Sequence, residues 1–221
     1  MKLTIGVFVL VYMVALFSYF FSETSGNLKR RAINKIFLST MFLLLGMVSY
    51  ALNYSFFSYK LFCLIAIFFA FLGDVFLLYS FTKGGILFII SNIFFFVYEW
   101  IFITYSDISF VDIGWFILLF ISLFGTFFIL TIKKVLNFKT KNIQILTYVF
   151  CVTLCGSLGI TMALRFMNTE MVLFGIGMGL FMISDYFLMV YKFKKHKNWI
   201  LRANSACYFI GLLMVAFCFI F

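Results

Sequence analysis

The stretch FFAFLGDVFLLY, residues 68–79, is an apolar run with one aspartate, Asp74, at its centre. GLFMISDYFLMVYKF, residues 179–193, repeats the arrangement around Asp185. An ionised carboxylate is expensive in either a soluble core or a membrane span, so the surrounding composition decides which this is. Hydrophobic residues make up 66% of the 221-residue chain and charged residues only 11%. A soluble domain is about half apolar, and one globular core has no room for the excess. Apolar runs of about 20 residues separated by short charged segments mark a polytopic membrane protein. Backbone in lipid must satisfy its own hydrogen bonds, so the runs are read as helices. The absence of proline suits uninterrupted spans.

The runs predict an all-α fold of eight transmembrane helices at 3–21, 36–54, 61–79, 86–105, 113–132, 145–164, 171–191 and 200–221, forming a single integral membrane domain over residues 1–221. The first run is too long for the apolar region of a signal peptide and lacks a small-residue cleavage site, so it is read as a retained span. Asp74 and Asp185 each fall late in the third helix of a four-helix set, and LKRRAINK before the second helix is loosely matched by NFKTKNIQ before the sixth. This suggests a 4+4 internal repeat in parallel orientation.

Charge tests the helix count. The segments around the 1–2, 3–4, 5–6 and 7–8 connections carry 14 of the 17 lysines and arginines, from Lys29, Arg30, Arg31 and Lys35 to Lys192, Lys194, Lys195, Lys197 and Arg202. The other face holds Lys2, Lys60 and Arg165. By the positive-inside rule the expected location is the cell membrane, with the basic loops cytoplasmic and both termini extracytoplasmic. The net charge of +10 then faces anionic headgroups, and no soluble basic surface is left for a nucleic-acid partner. A lone histidine, His196, argues against a metal centre, and no cofactor is expected. The five cysteines all lie within apolar runs, which argues against a disulfide framework.

Asp74 and Asp185 lie five to six residues from the basic ends of their predicted helices, which places both roughly 8–9 Å below that boundary. Neither has a cation within a turn of its own helix. Asp74 has Ala70, Phe71, Leu77 and Leu78 as neighbours, and Asp185 has Phe181, Met182, Leu188 and Met189. Intramembrane acids cost about 2.5–3.5 kcal/mol each on insertion scales and mark functional sites by default. Interhelical hydrogen bonding is the plainer role for an isolated polar residue in a span; two acids at one depth favour chemistry. Lys35, Ser39, Ser91, Asn92, Tyr148, Asn204, Ser205 and Tyr208 reach the same predicted layer. Of these, Lys35, Asn92, Tyr148, Asn204 and Tyr208 are the candidate substrate-binding residues. Gly175 and Gly179 read as a packing face, and Glu99 as an interfacial residue.

FLGDVFLL followed by GGILFIISN, and later GIGMGLFMISDYFLMVYKF, resemble the YhhN family of eight-span membrane proteins, which includes lysoplasmalogenases. RRAINK before the second helix and LTY opening the sixth add to the resemblance. It departs from the family at Asn92, often histidine there, at Ile36, often proline, and at Gly211, often glutamine. The resemblance implies an ether hydrolase that cleaves the vinyl ether of a lysoplasmalogen to a fatty aldehyde and a glycerophospho-alcohol. Asp74 and Asp185 would be catalytic, Lys35 would assist, and a membrane lysophospholipid would be the partner. Two other classes fit the same spans: a transporter using the aspartates as a proton or cation relay, and a non-catalytic lipid-binding protein.

Overall fold

The computed structural model describes residues 2–52, 59–106, 108–133, 142–194 and 196–220, the side chains of 2–5 and 142 excepted. Within them are eight helices and no strand: α1 (Lys2–Thr24), α2 (Leu28–Leu52), α3 (Lys60–Leu77), α4 (Phe81–Thr104), α5 (Phe110–Ile132), α6 (Asn142–Phe166), α7 (Thr169–Phe193) and α8 (Asn198–Phe217), the last followed by a 3₁₀ turn, Cys218–Ile220. All eight are long and apolar enough to cross a membrane. The chain is therefore a polytopic helical membrane protein. Its outer surface is studded with exposed Leu10, Phe17, Leu44, Ile93, Ile121 and Leu164, which suits a lipid solvent.

Local sequence explains where the helices start. Gly26 has φ +74, a left-handed conformation that closes the α1–α2 turn. Asn27 then caps α2 by accepting a hydrogen bond from the Arg30 backbone N–H at 3.1 Å. Ser80 caps α4, and Ser109 with Asp112 forms a capping box on α5. Asn168 caps α7 through the Met171 N–H at 2.8 Å. Because Asn27 starts α2 at Leu28 rather than near residue 36, Lys29, Arg30, Arg31 and Lys35 are helical, not part of a connection. Lysine and arginine are good helix formers whose stems lie along the bundle while their heads reach water. Similarly, α4 begins at Phe81, five residues before the predicted start. Of the basic segments, Lys134, Lys139, Lys141 and Lys195 lie outside the described residues.

The core of the bundle is formed by α2, α3, α4, α6, α7 and α8, with α1 against α2 and α8. The outlying α5 packs chiefly on α6, and Phe127 is its one fully buried residue. Glycines set the closest approaches. A Cβ at Gly84 would meet the Leu77 backbone at 2.9 Å, locking α4 onto the end of α3. Gly177 on α7 and Gly211 on α8 each face the other's carbonyl oxygen, with a Cβ on either at 2.7 Å from it. Gly175 packs against the Gly159 carbonyl of α6. At the end away from the basic segments, Lys60 pairs with Glu170 at 2.9 Å and Arg165 with Asp112 at 3.1 Å.

Candidate active site

Asp74 sits three residues before the end of α3 and is 1% exposed. The cation missing from its own helix comes from the neighbouring one: Lys35 Nζ lies 2.9 Å from Asp74 Oδ1. The early start of α2 makes this possible, because it carries Lys35 two turns into the helix with its side chain mostly buried. One turn further along, the Ser39 hydroxyl donates to Asp74 Oδ2 at 2.6 Å. From α8, the Tyr208 hydroxyl donates to the same oxygen at 2.7 Å. Three helices thus hold one carboxylate, with one cation and two short hydroxyl donors. These are the features of charge-assisted hydrogen bonding to an ionised acid.

Asp185, on α7, is also buried, but it has no ion-pair partner among the described residues, and its Oδ2 has no hydrogen-bond partner there. Tyr148 of α6 lines an apolar groove beside this site. Next to Asp185 on α7, the Ser184 hydroxyl donates to Asn204 Oδ1 at 3.0 Å. The two aspartates line one cavity of about 50 Å³ together with Lys35, Asn204 and Tyr208, large enough for a few water molecules.

Asn92 does not join them. The Ser91 hydroxyl on α4 donates to the Ala66 carbonyl at 2.8 Å, two turns of α3 away from Asp74. Asn92 Nδ2 bonds back to the Phe88 carbonyl of its own helix at 2.8 Å. The register of α4, shifted by its early start, places Phe88 rather than Asn92 opposite the acid layer: a Cβ on Gly73 would touch the Phe88 ring at 3.0 Å. Glu99, expected at the interface, is fully buried, with neither oxygen bonded among the described residues. It lies beside Gly159 of α6, so α4 turns it inward rather than toward the headgroups.

Glu23, which the sequence pattern alone does not mark, joins the candidate site. It is 7% exposed and lines the same cavity as the aspartates. Its Oε1 accepts from Ser205 at 2.6 Å and from Tyr19 at 3.0 Å, while Oε2 has no partner among the described residues. A spacing of four between Tyr19 and Glu23 on one helix face was the available signal; ending the first helix at residue 21 hid it. Among the described residues no three His, Cys, Asp or Glu side chains gather into a group able to hold a metal ion.

Two larger cavities adjoin this one. At the basic end, a vestibule of about 740 Å³ is lined by Lys29, Arg31, Lys35, Lys192 and His196, with no acidic residue in its described wall. Arg31, Lys35, Leu77, Leu188 and Leu201 line both it and the acid cavity. Toward α4 and α6 lies an apolar groove of about 240 Å³ that reaches Tyr148. Leu77, Phe88 and Leu188 line both this groove and the acid cavity.

The YhhN family model matches residues 31–218, most of the chain. The protein belongs to the YhhN family. No curated protein and no solved structure matches it.

Proposed function

From that membership and the unequal settings of the two aspartates, we propose that the protein is a lysoplasmalogenase-like hydrolase that cleaves a vinyl ether at the Asp74–Asp185 cavity. The observation that carries this reading is one cavity holding two carboxyls with opposite surroundings. Asp74 is paired with a lysine, and Asp185 has no cation among the described residues. Pairs of acids whose environments separate their protonation states divide the roles of proton donor and charge stabiliser.

Vinyl ether hydrolysis begins with a proton on the β-carbon. Asp185, in the carboxylic acid form that an uncompensated buried carboxyl favours, donates it. The C–H bond forms, the double bond shifts toward oxygen, and an oxocarbenium ion results. Asp74, paired with Lys35 and accepting from Ser39 and Tyr208, stabilises that cation electrostatically. A water molecule in the cavity adds to the cationic carbon and returns its proton to Asp185. The hemiacetal then collapses, transferring its hydroxyl proton to the departing glycerol oxygen and leaving aldehyde and alcohol. Substrate plus water equals the two products, and both acids end as they began.

The test is purified protein supplied with a lysoplasmalogen and, in parallel, its saturated-ether analogue, with released aldehyde measured. Aldehyde from the first alone supports the reading; none from either refutes it. The relay-transporter reading receives less support. α3 and α7 run unbroken through their aspartates, whereas transport sites favour discontinuous helices near the midplane.

A further inference from the structure

We propose that the groove between α4 and α6 is the binding site for the single hydrocarbon chain of the substrate, and that Gly85 is the residue that keeps it open. The inference rests on the reading of the acid cavity as the reaction site and adds how the substrate lies in it. Three observations converge.

The first is continuity. Leu77 and Leu188 line the vestibule, the acid cavity and the groove alike. An amphiphile whose reacting bond is at Asp185 has its polar end toward the vestibule and its chain toward the groove. The second is complementarity. The described vestibule wall carries Lys29, Arg31, Lys35 and Lys192 without an acid, suited to an anionic phosphate. Lys192 is steadied there, its ammonium 5.2 Å from the centre of the Phe81 ring. The groove wall, by contrast, is almost entirely apolar, with Phe81, Ile86, Ile89, Ile145 and Met189 among its residues. Its α4 wall runs from Phe81 to Ile89, about 12 Å of helix, and exposed Ile86 and Ile143 form a rim toward lipid. One narrow apolar slot beside one cationic vestibule fits a one-chain phospholipid.

The third observation is the glycine pair at the start of α4. Gly84 is required for packing, since a Cβ there would meet the Leu77 backbone at 2.9 Å. Gly85 is not: a Cβ there would meet nothing within 4 Å, and its φ is not positive. Glycine inside a helix costs roughly 1 kcal/mol relative to alanine. Gly85 gains neither backbone freedom nor close packing in return, yet it lines the groove. Its effect is to leave space.

The experiment titrates saturated-ether lysophosphocholines with hexyl, decyl and hexadecyl chains into the full-length protein in lipid nanodiscs. It compares the wild type with Gly85→Trp, Gly85→Ala and Thr147→Trp. Thr147 lines the groove from α6 and is exposed, so it provides a second obstruction should Gly85→Trp not fold. Nonspecific partition is common to all proteins and cancels in the ratio of dissociation constants. For the hexadecyl lipid, either tryptophan should weaken binding at least about ten-fold, the worth of roughly two buried methylenes. For the hexyl lipid the ratio should stay near one, and Gly85→Ala, which adds one carbon to the groove wall, should weaken hexadecyl binding less than either tryptophan. Equal ratios at every chain length, or no binding by the wild type, would overturn the proposal. The ligands are not cleaved, so the hydrolase reading fails separately: absent aldehyde with a chain-length effect leaves the groove standing, and aldehyde without that effect removes it.

Discussion

The Lys35–Asp74 pair offers the sharpest test of how the site is built. At 2.9 Å, with an effective dielectric of about 20, the gross attraction is about 6 kcal/mol, much of it offset by desolvating both groups. What can be measured is the effect of breaking the pair. Lys35→Met leaves a carboxylate that is 1% exposed without its cation, a change that typically costs about 3–5 kcal/mol. The hydroxyls of Ser39 and Tyr208 remain as donors, so we expect the lower end, about 3 kcal/mol. Asp74→Asn should cost less, because the Lys35 head borders the vestibule and can turn toward water. Combining the two changes replaces a buried ion pair with neutral groups of similar size, and stability should return to within about 1 kcal/mol of the wild type. Reversible unfolding of the four proteins in mixed micelles should therefore give a coupling energy of about 2 kcal/mol or more. Additivity to within about 0.5 kcal/mol would refute the claim that Lys35 holds Asp74 in place. The double variant, stable yet lacking the carboxylate at position 74, should not regain turnover above that of Asp74→Asn.

Asp74→Asn and Asp185→Asn should each lower aldehyde release by at least about 10²-fold, and the double variant should lose little beyond the worse single; full activity in either single variant would remove that residue from the chemistry. Turnover should slow in deuterated water, because the first proton goes to carbon, and equal rates in the two solvents would place another step in control. Glu23→Gln keeps an acceptor for Ser205 and Tyr19, so its melting temperature should hold while turnover falls about ten-fold, less than for loss of a proton-transfer group; unchanged turnover would leave Glu23 a purely structural role. Single cysteines at Lys197 and Asn168 should be labelled from opposite sides of the membrane, Asn168 from outside, and labelling of both from outside would overturn the proposed orientation.

The eight spans were legible because each apolar run is about as long as a bilayer is thick and charge separates the runs. The starts of α2 and α4 were not, because in sequence a charged run marks the edge of an apolar span and not the end of the helix. Asn27 and Ser80 set those starts instead, and lysine-rich sequence continues a helix readily. That difference decides the site. Extending α2 backward makes Lys35 a helical residue one turn from Ser39, so both reach Asp74; shifting α4 moves Asn92 two turns away from it. Asp74, Asp185 and Tyr208 could be placed by depth alone. The partners of Asp74 could not, since scanning a helix for cations sees only its own neighbours, and the partners come from two other helices. Glu99 shows the converse limit: position along a helix places a residue in depth, but the rotation that turns Glu99 toward Gly159 depends on packing against α6.

The two aspartates are also held by different means, and the difference suits the roles proposed for them. Asp74 is positioned by its own oxygens: a cation and two hydroxyls from α2 and α8 grip the carboxylate directly. Such a grip fixes the carboxylate in place beside the cation. Asp185 has few such contacts, and an acid that must give up and recover a proton is best left without them. Its position has to come from the backbone. Gly175 seats α7 on the Gly159 carbonyl of α6, and Gly177 seats it on Gly211 of α8. Packed interiors resist small displacements, so a helix fixed by backbone contact on two sides presents its side chains at fixed depth and rotation. Asp185 follows Gly177 by eight residues, two turns along the same helix, and reaches the shared cavity with its Oδ2 unbonded among the described residues. The glycines of α7 do for Asp185 what Lys35, Ser39 and Tyr208 do for Asp74, without binding the proton it has to move.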